Sequence, residues 1–201
     1  MTSESLNVTV HQSMARFRSS LLRRASAVAW VVLIIIGYQA VRSPLDDGSQ
    51  LFAQREFYVP MAGLAALLIV ATATRWDRIM ASRIAPLVAT GWLLALIAGI
   101  TALALIPDLN TTTEPILFGI AAVSGLLLAW WAHALVTVTI GGAIAFVAFS
   151  LGEANVIADV LAPVVVALVV AAATALVGFE FEKEALTSFG KEAKLEQQRL
   201  D

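Results

Sequence analysis

The stretch VVVALVVAAATALVGFEFEKEALTSFGKEAKLEQQRLD, residues 164–201, decides the fold, because one helical repeat runs through it from an apolar segment into a charged one. One set of positions spaced by seven residues comprises Val165, Ala172, Phe179, Leu186, Ala193 and Leu200, and a companion set comprises Leu168, Ala175, Glu182, Phe189 and Glu196. A strict seven-residue repeat is the signature of a left-handed coiled coil. The sequence therefore predicts a last membrane helix, about 156–178, that continues as a coiled-coil-like stalk and pairs in a parallel homodimer.

The repeat is imperfect outside the apolar segment. Glu182 and Glu196 would face their own copies in a parallel dimer, and Gly190 costs about 1 kcal/mol relative to alanine in a helix. An ordinary charged tail is the alternative interpretation. Within the apolar part, Ala167, Ala171 and Ala175 form a row of small residues that lets another helix approach closely.

Composition indicates a membrane protein, since 59% of the residues are hydrophobic and 14% are charged, whereas about a quarter are charged in soluble domains. Five more apolar runs precede the last one, at about 25–41, 57–74, 84–106, 115–132 and 135–151. Each run approaches the roughly 20 residues that a helix needs to cross the bilayer. The sequence thus predicts an all-α protein with six transmembrane helices. The fourth and fifth runs are nearly continuous, and Trp130, Trp131 and His133 mark the predicted crossing between them.

The distribution of basic residues predicts the orientation. In the six-span arrangement, eleven of the thirteen lie on the side of the N-terminus, namely Arg16, Arg18, Arg23, Arg24, Arg75, Arg78, Arg83, Lys183, Lys191, Lys194 and Arg199. Arg42 and Arg55 lie on the other side. Because basic residues near span ends accumulate in the cytoplasm, both termini are predicted to be cytoplasmic and the protein to reside in the inner (plasma) membrane.

The chain divides into three predicted regions: a cytoplasmic tail over 1–24, a six-helix transmembrane domain over 25–178 and a cytoplasmic signalling or dimerisation helix over 179–201. In the tail, Met14, Phe17, Leu21 and Leu22 recur at nearly helical spacing beside arginines. This pattern is typical of an amphipathic helix on an anionic leaflet, where it would brace the bundle. A basic topology anchor without that role is the alternative.

The polar residues exclude several kinds of chemistry. No ionisable residue lies in the middle of a predicted span, which argues against ion-coupled transport. His11 and His133 fall on the same side, so they cannot bracket a haem, and cysteine is absent. No zinc, nucleotide or nucleophile motif occurs. We therefore expect no catalytic residue, no cofactor and no nucleic-acid partner in this chain.

The outer loops and span ends carry an excess of acidic residues, and these are the candidate ligand residues: Asp46, Asp47, Asp108, Glu114, Glu153 and Asp159. Hard cations prefer oxygen ligands, so these carboxylates are predicted to converge on a cation or cationic ligand at the outer mouth of the bundle. A solvated acidic rim is the alternative, and the metal, if any, stays open.

Six short spans, cytoplasmic ends and a final span leading into the charged helix 180–201 resemble the N-terminal membrane modules of bacterial signalling enzymes. The nearest resemblance is to membrane-anchored class III nucleotidyl cyclases, and membrane-anchored diguanylate cyclases and histidine kinases share the layout. The resemblance implies a receptor or regulatory module that controls a dimeric cytoplasmic output domain beyond Asp201. A small stand-alone transporter and a structural membrane subunit are the alternative functions.

Overall fold

A computed structural model describes residues 3–42, 55–152 and 160–200, and within these residues the fold is all-α, as predicted. The helices are α1 (Ser3–Arg42), α2 (Arg55–Ala73), α3 (Trp76–Met80), α4 (Ala85–Ala104), α5 (Pro107–Leu127), α6 (Trp130–Ser150) and α7 (Ala162–Leu200). The short α3 lies in the connection between the second and third predicted spans.

Five segments of the described helices are long and apolar enough to cross a membrane: Ala15–Val41, Arg55–Ala73, Ala85–Ala104, Trp130–Ser150 and Ala162–Phe181. They support a membrane-embedded protein. The fourth span, predicted at about 115–132, overlaps α5, which begins and ends earlier than predicted. The apolar part of α5, Thr113–Leu127, is shorter than the other five segments. The sixth crossing therefore stays a prediction.

The long apolar run between residues 116 and 150 is divided into two helices, as the sequence predicts. The division lies at Leu128 and Ala129, which have extended backbone angles, and so precedes the predicted crossing residues. The Leu128 N–H still donates to the Ser124 carbonyl, which closes α5, while the Ala129 carbonyl accepts from the N–H groups of Ala132 and His133. Both tryptophans consequently lie in the first turn of α6.

The N-terminal segment and the first apolar run form one helix, without the predicted boundary near residue 24. Glycine and proline are absent between residues 3 and 36, so nothing in this stretch interrupts the backbone hydrogen bonds. The 40 residues of α1 and the 39 of α7 each extend about 60 Å, roughly twice the hydrocarbon thickness of a bilayer. The Phe17 and Phe181 rings stack with centroids 4.6 Å apart, so both extensions lie at the same end of the bundle. We call this end the stalk side.

The bundle is centred on α4, which contacts α2, α3, α5 and α6. Half of the residues in its apolar window are buried (50%), against 11% for α7. Helix α7 therefore packs at the edge of the bundle, against α5 and α6. Trp76 and Trp92 are buried and pack edge to face, with centroids 5.8 Å apart.

Candidate functional site

The predicted acidic ligand site falls largely outside the described residues. This applies to Asp46, Asp47, Glu153 and Asp159, and also to the side chain of Asp108, the second residue of α5. Glu114 is half-buried in the second turn of α5. Among the residues that the structure describes, no three His, Cys, Asp or Glu side chains are grouped so as to hold a metal ion. The cation site stays a prediction.

A cavity of about 610 Å³ opens on the side of the bundle opposite the stalk, between the start of α2 and the end of α4. Its described lining comprises Arg55, Glu56, Val59, Pro60, Ala102, Leu105 and Ile106. The two charged residues have opposite signs and are both exposed. None of the six predicted ligand acids belongs to this described lining.

A second cavity, of about 600 Å³, lies on the stalk side, where the α5–α6 turn meets α7 and the extension of α1. We call it the junction cavity. Its described lining comprises Phe17, Arg18, Gly125, Leu126, Leu128, Ala129, Trp130, His133, Ala175, Val177, Gly178, Phe179 and Phe181. Within that lining, Arg18 carries a permanent positive charge, and its Nε is buried without a hydrogen-bond partner. The stacked rings of Phe17 and Phe181 form part of the wall.

A polar link beside the junction cavity joins three helices. The Ser124 Oγ of α5 lies 2.8 Å from the His133 Nδ1 of α6, and the His133 Nε2 lies 3.2 Å from the Ala171 carbonyl oxygen of α7. The Ser124 Oγ also lies 2.8 Å from the Ala121 carbonyl oxygen, and the Ser124 side chain is fully buried. A substrate therefore has no route to the serine hydroxyl, and the arrangement holds α7 against its neighbours instead of forming a nucleophilic dyad.

Glycines bring α5 and α7 into direct backbone contact next to this link. A Cβ placed on Gly125 would overlap Thr174 Oγ1 and lie 2.9 Å from the Ala175 nitrogen, and one placed on Gly178 would lie 2.9 Å from the Gly125 oxygen. The close approach that the alanine row predicts thus occurs within this chain. Ala175, which the sequence places on the companion dimer seam, is half-buried beside Gly125 of its own chain.

Most of the apolar surface of α7 outside its contacts with α5 and α6 is exposed. The heptad positions Val165, Leu168, Ala172 and Phe179 are exposed beside the packed face, and so are Val166, Val169, Leu176 and Val177, which lie outside the heptad positions. Helix α7 continues unbroken through Leu186, Phe189, Ala193 and Leu200, whose side chains lie outside the described part of the chain. Pairing along the heptad positions stays a prediction.

A polar contact on the stalk side fastens α3 to α1. The Ser19 Oγ donates to Asp77 Oδ1 at 2.5 Å, and Arg23 forms an ion pair with the other carboxylate oxygen. The hydrogen bond from Ser19, followed by the positive charge of Arg23, holds the pKa of Asp77 below its usual value of 3.8. This contact joins α3 to the segment that the sequence identifies as amphipathic, and the role of that segment at the membrane surface stays a prediction.

Sequence reasoning located His133 and Arg18 near a membrane surface but missed what they contact. The signal available was a lone serine in the apolar run of α5, nine residues before the histidine. Nothing in the spacing connects either residue with position 171. When the chain was compared with protein families, curated proteins and solved structures, no match was found.

Proposed function

We propose that this chain is a membrane receptor or regulatory module that positions and modulates a dimeric cytoplasmic signalling domain through α7. One observation carries the proposal: α7 is a single helix from Ala162 to Leu200, so a membrane-length segment continues directly into a projecting one. The 19 residues after Phe181 extend about 28 Å. A rotation or shift of the membrane part would therefore be transmitted to the end of the helix.

The packing of α7 supports this role. Its inner face is fixed to α5 and α6 by the Gly125 contact and the His133 link. The rest of its apolar surface, which includes the heptad positions, is exposed and available to a second copy. The extension of α1 follows α7 through the Phe17–Phe181 stack, which gives the projecting helix lateral support. In this proposal six helices cross the inner membrane, α5 being one of them, and both termini are cytoplasmic.

The glycines do not favour a transport hinge over close packing. Gly125 lies against the backbone of α7 and Gly99 against the Leu64 side chain, whereas Gly91, Gly119 and Gly142 have no atom within 4 Å of an added Cβ. A structural subunit would need no defined dimer seam on α7. A change in output when the stalk is rotated relative to its heptad positions would therefore distinguish a signalling module from a structural subunit.

In the test, a reporter enzyme that is active only as a parallel dimer is fused after Asp201. Residues are then inserted between the stalk and the reporter to rotate the reporter about the axis of the helix. Two alanines inserted after Leu200 rotate the reporter by about 200° relative to the seam, whereas seven leave it within about 20° of its original direction. We expect the two-residue insertion to remove most of the activity and the seven-residue insertion to retain it. Equal activity of the two insertions would contradict transmission through a helical stalk.

A further inference from the structure

The junction cavity combines a half-buried arginine with apolar walls at the end of the membrane-length helices. We propose that it binds an anionic phospholipid of the surrounding bilayer, with the phosphate on Arg18 and the start of the acyl chains along α7. This inference does not rest on the proposed function, since lipid binding requires no output domain.

The polar group in the described lining is Arg18, a half-buried side chain whose Nε is enclosed without a hydrogen-bond partner. A buried donor that lacks an acceptor destabilises the protein, so such groups are rare unless a ligand or water satisfies them. The planar guanidinium group matches the oxygens of a phosphate, and charge-assisted hydrogen bonds of this type are the strong ones. A phosphate in the cavity would pair with the guanidinium group of Arg18, and a contact with Nε itself would require the side chain to turn toward the cavity.

The apolar residues that line the junction cavity indicate the source of the phosphate. Leu126, Leu128, Val177, Phe179 and Phe181 make up much of the described wall, and a free inorganic anion would leave them facing water. A phospholipid covers them with its glycerol and upper acyl carbons. Val177 and Phe179 are 61% and 64% exposed, so the cavity is continuous with the lipid-facing side of α7.

The location fits the level of the lipid headgroups. The cavity lies where α5 ends and α6 begins, and where the apolar segments of α1 and α7 have their stalk-side ends. Trp130 at its edge is 83% exposed, as expected of an indole at the membrane interface. Basic recesses between transmembrane helices are known sites for anionic headgroups.

The experiment measures lipid retention by native mass spectrometry of the full chain in detergent, with dioleoyl-phosphatidylglycerol and dioleoyl-phosphatidylcholine as probes. We expect the anionic lipid to be retained preferentially. Arg18→Gln should weaken its apparent affinity about tenfold or more, the typical effect of losing a charged hydrogen bond. Arg16→Gln is the matched control, because Arg16 is exposed two residues away and the charge change is identical.

A second variant keeps the charge and fills the space. Val177→Trp narrows the cavity from the side of α7 and should also lower retention of the anionic lipid, while size-exclusion chromatography verifies that each variant is folded. Equal losses for Arg18→Gln and Arg16→Gln would mean diffuse surface attraction and would overturn the proposal. If millimolar inorganic phosphate displaced the anionic lipid, the cavity would be a site for a free anion, and the proposal that it binds a phospholipid would be wrong.

Discussion

The contact between Gly125 and α7 makes a quantitative prediction about stability. In Gly125→Ala, the new methyl group meets the Ala175 nitrogen and the Thr174 carbonyl carbon at 2.9 and 3.0 Å, as well as Thr174 Oγ1. Two of these are backbone atoms, so the contact is relieved only if α5 and α7 separate. Overpacking of this kind costs about 1–3 kcal/mol, which the better helix propensity of alanine offsets by about 1 kcal/mol.

Gly119 offers a matched control on the same helix. A Cβ at Gly119 has no atom within 4 Å, so Gly119→Ala gains the helix propensity without the steric cost. The two variants should therefore differ by about 1–3 kcal/mol, which corresponds to roughly 2–12 °C for a chain of this size.

The assay is thermal unfolding of both variants and the wild type in one detergent, followed by circular dichroism or by light scattering. Gly125→Ala should melt below Gly119→Ala, and the order should persist in a second detergent. If the two alanine variants melt together, α5 and α7 are not in backbone contact at Gly125, and the anchoring of α7 in the proposed function fails with it.

Two further predictions concern the stalk side. Because the pKa of Asp77 is lowered in the fold, its contact with α1 stabilises the fold above the unfolded-state pKa of 3.8, and this stabilisation is lost as the pH falls through the lower folded value. Asp77→Asn should therefore make the melting temperature less sensitive to acid. If the variant and the wild type had the same pH profile between about pH 7 and pH 3, the prediction would be wrong. Since the chain contains no cysteine, single cysteines replacing Leu186 and Ala193 should crosslink efficiently between copies, whereas those replacing Ser188 and Lys191 should not, and uniform crosslinking at all four would indicate an unpaired tail.

Hydropathy predicted the helical content and the division of the 116–150 run, because a helix of that length exceeds the bilayer thickness. It misplaced the start of the first helix, since apolar content reports what can be buried in lipid, whereas helix bounds depend on backbone hydrogen bonds. The segment around Phe17 is polar enough to leave the membrane and still continues as helix in α1. The 128–129 break has no glycine or proline at it, so the prediction depended on the excess length of the run and on the polar and aromatic side chains of Trp130, Trp131 and His133 just after the break.

The junction cavity could not be predicted, because its residues come from four helices and periodicity does not identify the neighbour that covers a helix face. The heptad pattern in α7 illustrates the difficulty. Ala175 and Phe179 both belong to it, yet one is half-buried against Gly125 and the other is exposed. Only the arrangement of α5 distinguishes them.

Phe179 connects the two proposals made for α7. Its ring lines the junction cavity, and its position belongs to the heptad seam proposed for the dimer. A lipid in the cavity would contact this ring. If pairing changes the position of the ring, the lipid would bind the paired and unpaired forms with different affinity. Coupling of this kind is reciprocal: if bound lipid changes the dimerisation constant by some factor, dimerisation changes the affinity for the lipid by the same factor. A bilayer component bound at Arg18 would thereby act on the projecting helix at the residue where that helix leaves the membrane.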